Sequence, residues 1–496
     1  MHKLLLLLVL LLPQEAEVAK LARELNGASL DRRDEITAAL IKLGKPAVPA
    51  LRKEMDAGDA NLKNLLAGVI AEIEVAPLRD GVRVLTMRGD SLVLVDVATG
   101  KDRVIAKGVN YCRPHPKDRE KLLVGELENL VVVDFTGKRT VIANKPKIVH
   151  PGCGHIESAL HGGRWIQGGD AILFSWRDVP KGVDPHEESE DQIKTATVGA
   201  DGKGLTLLAE RVGLHSDYHN IGTPDFSPDA MKSIVSSVTK KVDNGADVEL
   251  SESTFGKKGM APIAKLELRS LGYLGGEWSP DSSKYFFFHS HDKQFDLYLW
   301  DGATTTKVEQ ENGLDLGGTG GYCLAWSPDS AKVAWLPHRK GGKAHLAVLE
   351  LKTRKVTRFE VEHKSGPELG LPVWNAESSV LVTTSHRCPM ETFHQHRFVG
   401  CKPALYAFDL ATEKTTLLVE EGVSSRACAT SPDPSYVYFW RPMAGQPKGK
   451  GDLWDEYQSQ TFDLHAVHVK TGAVLAVTKS RAFPNLYQAE FLLPKR

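Results

Sequence analysis

The sequence has no surplus of charge of either sign. Its 62 basic residues balance 63 acidic ones for a formal net charge of -1, so no bulk attraction to phosphate backbones or anionic membranes follows. Nucleic acid is excluded as the default partner. The usual enzymatic signatures are missing as well: there is no Gly-x-Ser-x-Gly elbow, no His-Glu-x-x-His, no phosphate-cradling Gly-x-x-x-x-Gly-Lys-Ser/Thr loop and no Cys-x-x-Cys. Long apolar runs are absent apart from Leu4–Leu12, which is too short to span a bilayer and of the length of a signal-peptide core. What remains is an ordinary globular composition, 42% hydrophobic and 25% charged, which excludes disorder and fibrous structure.

Lys3 followed by the Leu4–Leu12 run predicts export, with residues 1–14 as a signal peptide or, since no Ala-x-Ala site follows, a short uncleaved anchor. The expected compartment is the periplasm or the cell exterior, with no transmembrane span after processing. Residues 15–77 show helical periodicity. One apolar stripe is Ile36, Ala39, Leu40 and Leu43; another is Leu62, Leu65, Leu66, Val69, Ile70 and Ile73. Asp31 is the expected N-cap of the first, and Gly44 with Pro46 its stop. The stretch from Leu30 to Ile73 resembles HEAT-like helical repeats, in under two copies. Repeats of that kind bury their faces on neighbours, so the array is expected to pack on the domain that follows.

From residue 78 the chain changes to short β-rich runs. Ser227-Pro228-Asp229, Ser279-Pro280-Asp281, Ser327-Pro328-Asp329 and Ser431-Pro432-Asp433 are near-identical tight turns, since proline presets φ at the second position of a type I turn. They recur at a period of about fifty residues, with degenerate copies at Trp374-Asn375-Ala376-Glu377, Gly168-Gly169-Asp170 and His115-Pro116-Lys117-Asp118. A period of that length, with four short strands per unit, predicts a mainly β fold, a β-propeller over 78–496. Eight units are read: 81–107, 111–144, 162–209, 222–268, 276–310, 322–362, 372–420 and 427–478. The first lacks an inner strand, and the spare segment Asn485–Pro494 is expected to supply it and close the ring. A seven-bladed ring, with the first unit as linker, is the alternative.

These turns and strands resemble the TolB-like family of WD-type propeller repeats, whose unit runs aromatic-Ser-Pro-Asp-Gly, apolar strand, Leu-Tyr-x-x-Asp. The chain departs from that unit in carrying Ala230, Ser282, Ser330 or Pro434 at the final glycine, a position read as not needing positive φ. The resemblance implies a non-catalytic binding or scaffold protein of the cell envelope, most simply a monomer. Its partner would be an envelope or extracellular protein, or a carbohydrate. Propellers of dipeptidyl and prolyl peptidases are similar, but those enzymes need an α/β-hydrolase domain for which these repeats leave no room.

Histidine is the one chemical anomaly. His150, His155 and His161, then His215 and His219 around Asp217, then His289 and His291, then His386, His394 and His396 all fall in connections on one expected face. Imidazole is a common metal ligand and a general base near neutral pH. The candidate ligand-binding residues are His155, His215, Asp217, His219, His289 and His291. No cofactor is required by this reading, a divalent metal at His215 and His219 being the exception. Oligogalacturonate lyases are propellers with similar turns and a histidine-ligated metal, which makes a metal-assisted carbohydrate-active enzyme the alternative function. Cys388 and Cys401 share one hairpin loop and are the expected disulfide; a zinc site with His386, His394 and His396 is the alternative use of the pair. Cys112 and Cys428 occupy equivalent inner-strand positions and are expected as buried thiols. The insertions at 178–191 and 444–460 are read as loops of the same face.

Overall fold

A computed structural model describes residues 2–492 except 119, 146–147, 150–155, 158–159, 179–191, 213–224, 243–244, 255–256, 258, 270–273, 292–293, 312–323, 338–343, 362–367, 370–371, 387–403, 421–427, 443–460, 479–482 and 485–489. Eight antiparallel sheets of four strands form the blades of a propeller. In blade 7 the inner strand is in two pieces, and in blade 8 the outer strand is. The inner strands of blades 2 to 8 are Val109–Pro114, Leu160–Ile166, Asp225–Phe226, Leu274–Trp278, Leu324–Trp326, Val373–Trp374 and Cys428–Thr430. Blade 1 begins with Arg83–Arg88, its second strand, and takes its inner strand from Glu490–Leu492. Arg83 pairs with Leu492 and Leu85 with Glu490, so the C-terminal segment closes the ring and no sheet edge is left unpaired there.

Buried side chains collect between neighbouring sheets rather than in one central core. Leu85, Leu122 and Val131 fill the gap between blades 1 and 2, and Ile234, Leu250, Trp278 and Phe287 that between blades 4 and 5. The richest cluster, around Phe286, Trp335, Leu346 and Phe408, ties blades 5, 6 and 7 together.

The Ser-Pro-Asp turns work through side-chain hydrogen bonds. In blade 5 the Ser279 hydroxyl donates to Asp281 at 2.6 Å and accepts from the Lys284 amide at 2.9 Å. Asp281 also accepts from the Ser283 amide, and these bonds overcome the cost of burial to hold its carboxyl down at about 2. Blades 4 and 6 repeat the arrangement with Ser227–Asp229 and Ser327–Asp329. The degenerate turns reach the same end by other chemistry. Asn375 accepts from the Ser379 and Val380 amides, and His115 Nδ1 accepts from the Lys117 and Asp118 amides.

One expectation about these turns holds only for Pro434, whose ring fixes a negative φ. Ala230, Ser282 and Ser330, and Ser378 of the degenerate copy, all have φ between 57° and 61°, so in these blades the fourth position is left-handed and glycine's usual place there has a steric cause. Serine is kept because its hydroxyl reaches the previous blade. Ser282 accepts from the Asp229 amide and Ser330 from the Asp281 amide, both at 3.0 Å.

Four helices precede the ring: α1 (His2–Gly27), α2 (Leu30–Leu43), α3 (Val48–Ala57) and α4 (Ala60–Arg79). Val18, Leu25, Ile36, Leu40, Leu66 and Ile70 give them a core of their own. Helix α2 starts one residue before Asp31, so Ser29 occupies the N-cap position; Asp31 lies in the first turn, where its charge favours the helix dipole. Gly44, at φ 69°, ends the helix as expected. No helix among the described residues is long and apolar enough to cross a membrane. The helices dock where the ring closes. Leu78 is buried with Val84, Trp440 and Leu464 of blades 1 and 8, Tyr438 donates to the Leu78 carbonyl, and Lys45 pairs with Asp433 at 2.7 Å.

Candidate functional site: the charged mouth of the channel

The first strand of each blade is the one nearest the propeller axis. Strand register identifies one equivalent position in each: the residue before the aromatic, or its substitute, that leads into the turn. From blade 2 onward these residues are Arg113, Arg164, Asp225, Glu277, Ala325, Val373 and Ala429. In blade 1 the register puts Glu490, opposite Leu85, at the same position. Two arginines and three carboxylates therefore occupy five consecutive blades, with Glu490 next to Arg113, and small apolar residues complete the arc.

The layer is held by the next residue along. Trp165, Trp278, Trp326 and Trp374 donate their indole N–H to the carbonyls of Arg113, Asp225, Glu277 and Ala325 in the preceding blade, at 2.9–3.1 Å. Each locking bond thus ends on a residue of the layer itself.

Electrostatics separates these groups. Glu277 keeps solvent contact while protein atoms crowd round it. Desolvation, then the charge of Asp225, push its carboxyl up to about 8. Asp225 is also raised by burial, against the opposing pull of a hydrogen bond from Tyr285 and the Arg164 charge. Tyr285 is driven well above the ordinary phenol range, first by burial and then by Asp225. Its hydroxyl lies against Gly276, where a Cβ would come within 2.5 Å of it. Burial displaces both carboxyls upward, and the charge of Asp225 adds to the displacement of Glu277.

A cavity of about 280 Å³ opens beside this layer on the face that carries the Ser-Pro-Asp turns. Arg113, Arg164, Trp165 and Phe226 line it, with Pro116 and Pro228 at the turns. The Arg164 guanidinium lies 5.6 Å from the Phe226 ring centre. Cys112, expected as a buried thiol, is only half-buried, on the cavity wall.

The histidine candidates are distributed differently. His155, His215, Asp217 and His219 lie outside the described residues, as do Cys388, Cys401, His394 and His396 and most of the insertions 178–191 and 444–460. His289 and His291 share the strand Tyr285–His291, which persists to its end by pairing His291 with Gln294. His289 is buried, stacked on Tyr298 at 5.7 Å, with Nε2 4.0 Å from Asp296, whose other oxygen pairs with Lys307 at 2.8 Å. Among the described residues no group of three or more His, Cys, Asp or Glu side chains is arranged to hold a metal. The charged layer was missed in the sequence. Aligning the residue before each turn aromatic would have exposed its Arg-Arg-Asp-Glu order.

The fold and this layer define the molecule as an eight-bladed β-propeller with a charged channel mouth. No family model matches the sequence, and no curated protein matches it. Among solved structures, dipeptidyl peptidase 4 of Porphyromonas gingivalis is similar over 80% of this chain and 58% of its own, at 11% identity and a TM-score of 0.51. TolB from Acinetobacter baumannii is similar over 63% and 70%, at 12% identity and a TM-score of 0.29. An oligogalacturonate lyase from Vibrio parahaemolyticus is similar over 72% and 94%, at 14% identity and a TM-score of 0.39. Likeness at these identities is a likeness of fold.

Proposed function

We propose that the protein is an exported, non-catalytic binding propeller of the cell envelope, a monomer that recognises an envelope or extracellular partner at the mouth of its channel. One observation carries this reading: the inner-strand layer concentrates Arg113, Arg164, Asp225 and Glu277 on adjacent blades beside an open cavity. A ring held only by packing has no need of ionisable groups gathered on its inner strands, where Asp225 bears a cost in desolvation. Charged, partly enclosed mouths orient and discriminate ligands.

The test is retention of partners from an envelope extract by the wild-type protein and by a form carrying Arg113→Ala and Glu277→Ala. A partner held by the first and lost by the second, with melting temperature preserved, supports recognition at the mouth. Equal retention by both sinks it. Residues 1–14 as the export signal are tested by N-terminal sequencing of protein recovered from cells.

A further inference from the structure

The cavity between blades 2, 3 and 4 has the components of a specific anion site. Its two guanidinium groups are not equivalent. Arg164 is drawn toward Asp225 and covers the Phe226 ring. Arg113, on the neighbouring inner strand, keeps substantial exposure on the cavity wall, with the Glu490 position of blade 1 on its other side in the layer. An exposed arginine is common on a protein's outer surface. On a cavity wall, between an indole, a phenyl ring and prolines, it is a donor fork aimed into a partly apolar space. Arginine matches planar, two-oxygen acceptors through paired N–H donors.

We propose that this cavity binds a monoanionic carboxylate carried on an apolar or aromatic group, with Arg113 as its ion-pairing residue and Trp165 and Phe226 as the apolar walls. The inference rests on the channel mouth being the recognition point and names the ligand class of that site. Charge favours the monoanion: Arg164 already faces Asp225 and Glu490 flanks Arg113 in the layer, so a second negative charge on the ligand would meet carboxyl groups on both sides. Size agrees: about 280 Å³ lies at the small end of ligand pockets and suits a carboxyl group with one ring, not a folded domain. Two sources share this chemistry, the carboxyl end of a peptide and a free organic acid.

Calorimetric titration of the full chain with N-acetylphenylalanine, its amide, benzoate and phenyl phosphate separates the cases. Saturable millimolar or tighter binding of a carboxylate, none of the amide and weaker binding of phenyl phosphate are expected. Tighter binding of N-acetylphenylalanine than of benzoate marks a peptide end, and the reverse order marks a small acid; both uphold the carboxylate site. Arg113→Gln should weaken that binding by about tenfold or more, with Arg113→Lys intermediate because it keeps the charge and loses the fork. Arg113 is exposed, so an unchanged melting temperature is the control for folding. The proposal is overturned if the wild type binds no carboxylate, if Arg113→Gln binds as well as wild type, or if phenyl phosphate binds more tightly. A protein that binds no carboxylate yet loses its envelope partner on Arg113→Gln substitution removes the ligand class and leaves recognition at the mouth standing.

Discussion

Trp326 in blade 6 donates its indole N–H to the main-chain carbonyl of Glu277 in blade 5 at 2.9 Å, so the residue with the most displaced side-chain acidity in the channel layer is held in place by the neighbouring blade. Equivalent bonds run from Trp278 to Asp225 and from Trp165 to Arg113. Closing the ring and positioning the site are one act.

Trp326→Phe keeps the aromatic body and removes only the donor. Loss of this bond should cost about 1–2 kcal/mol of stability, the range for leaving a largely buried carbonyl without its partner. Urea unfolding measures it. A change within about 0.5 kcal/mol, the scatter of neutral surface substitutions, would mean the bond is incidental.

Ser330 tests two opposed effects at one position. Its φ of 57° is strained for any residue but glycine, while its hydroxyl accepts from the Asp281 amide. Ser330→Ala retains the strain and loses the bond, and should destabilise by about 1 kcal/mol. Ser330→Gly also loses the bond but relieves the strain, so it should be the less damaging of the two. Melting curves that rank alanine above glycine would contradict this account of the turn.

Glu277 sets a pH dependence of known sign. Its folded-state acidity lies near 8 and its unfolded value near 4.5, so the folded protein holds the extra proton between those limits. The stabilisation is complete below the lower value and lost as pH rises through the upper one. Asp225 is displaced in the same direction, while Arg164 and Tyr285 stay charged and neutral respectively across this window. Glu277→Gln is neutral at every pH, so its melting temperature relative to wild type should climb from pH 5 to pH 8.5. A constant difference would show that Glu277 titrates normally.

Metal analysis decides between a binding propeller and a metal-assisted carbohydrate-active enzyme worked by His215 and His219. The binding reading expects no stoichiometric divalent metal in the purified protein. It also expects the double substitution His215→Ala, His219→Ala to leave partner retention unchanged. One tightly held equivalent of metal, lost in that variant, would favour the enzyme.

The parts of this molecule set by neighbouring residues were readable from the chain alone. Ser-Pro-Asp closes a turn through bonds spanning a few positions, so four copies announced the repeat, and the missing first inner strand with its spare C-terminal segment announced closure of an eight-bladed ring. The left-handed fourth turn position escaped, because the serines that occupy it are kept for a bond to another blade. The charged layer escaped for the same reason at longer range. Arg113, Arg164, Asp225 and Glu277 are each an unremarked polar residue in a short strand, separated from the next by about fifty positions. Only the folded ring sets them shoulder to shoulder, and only there do desolvation and mutual charge push the Glu277 carboxyl up.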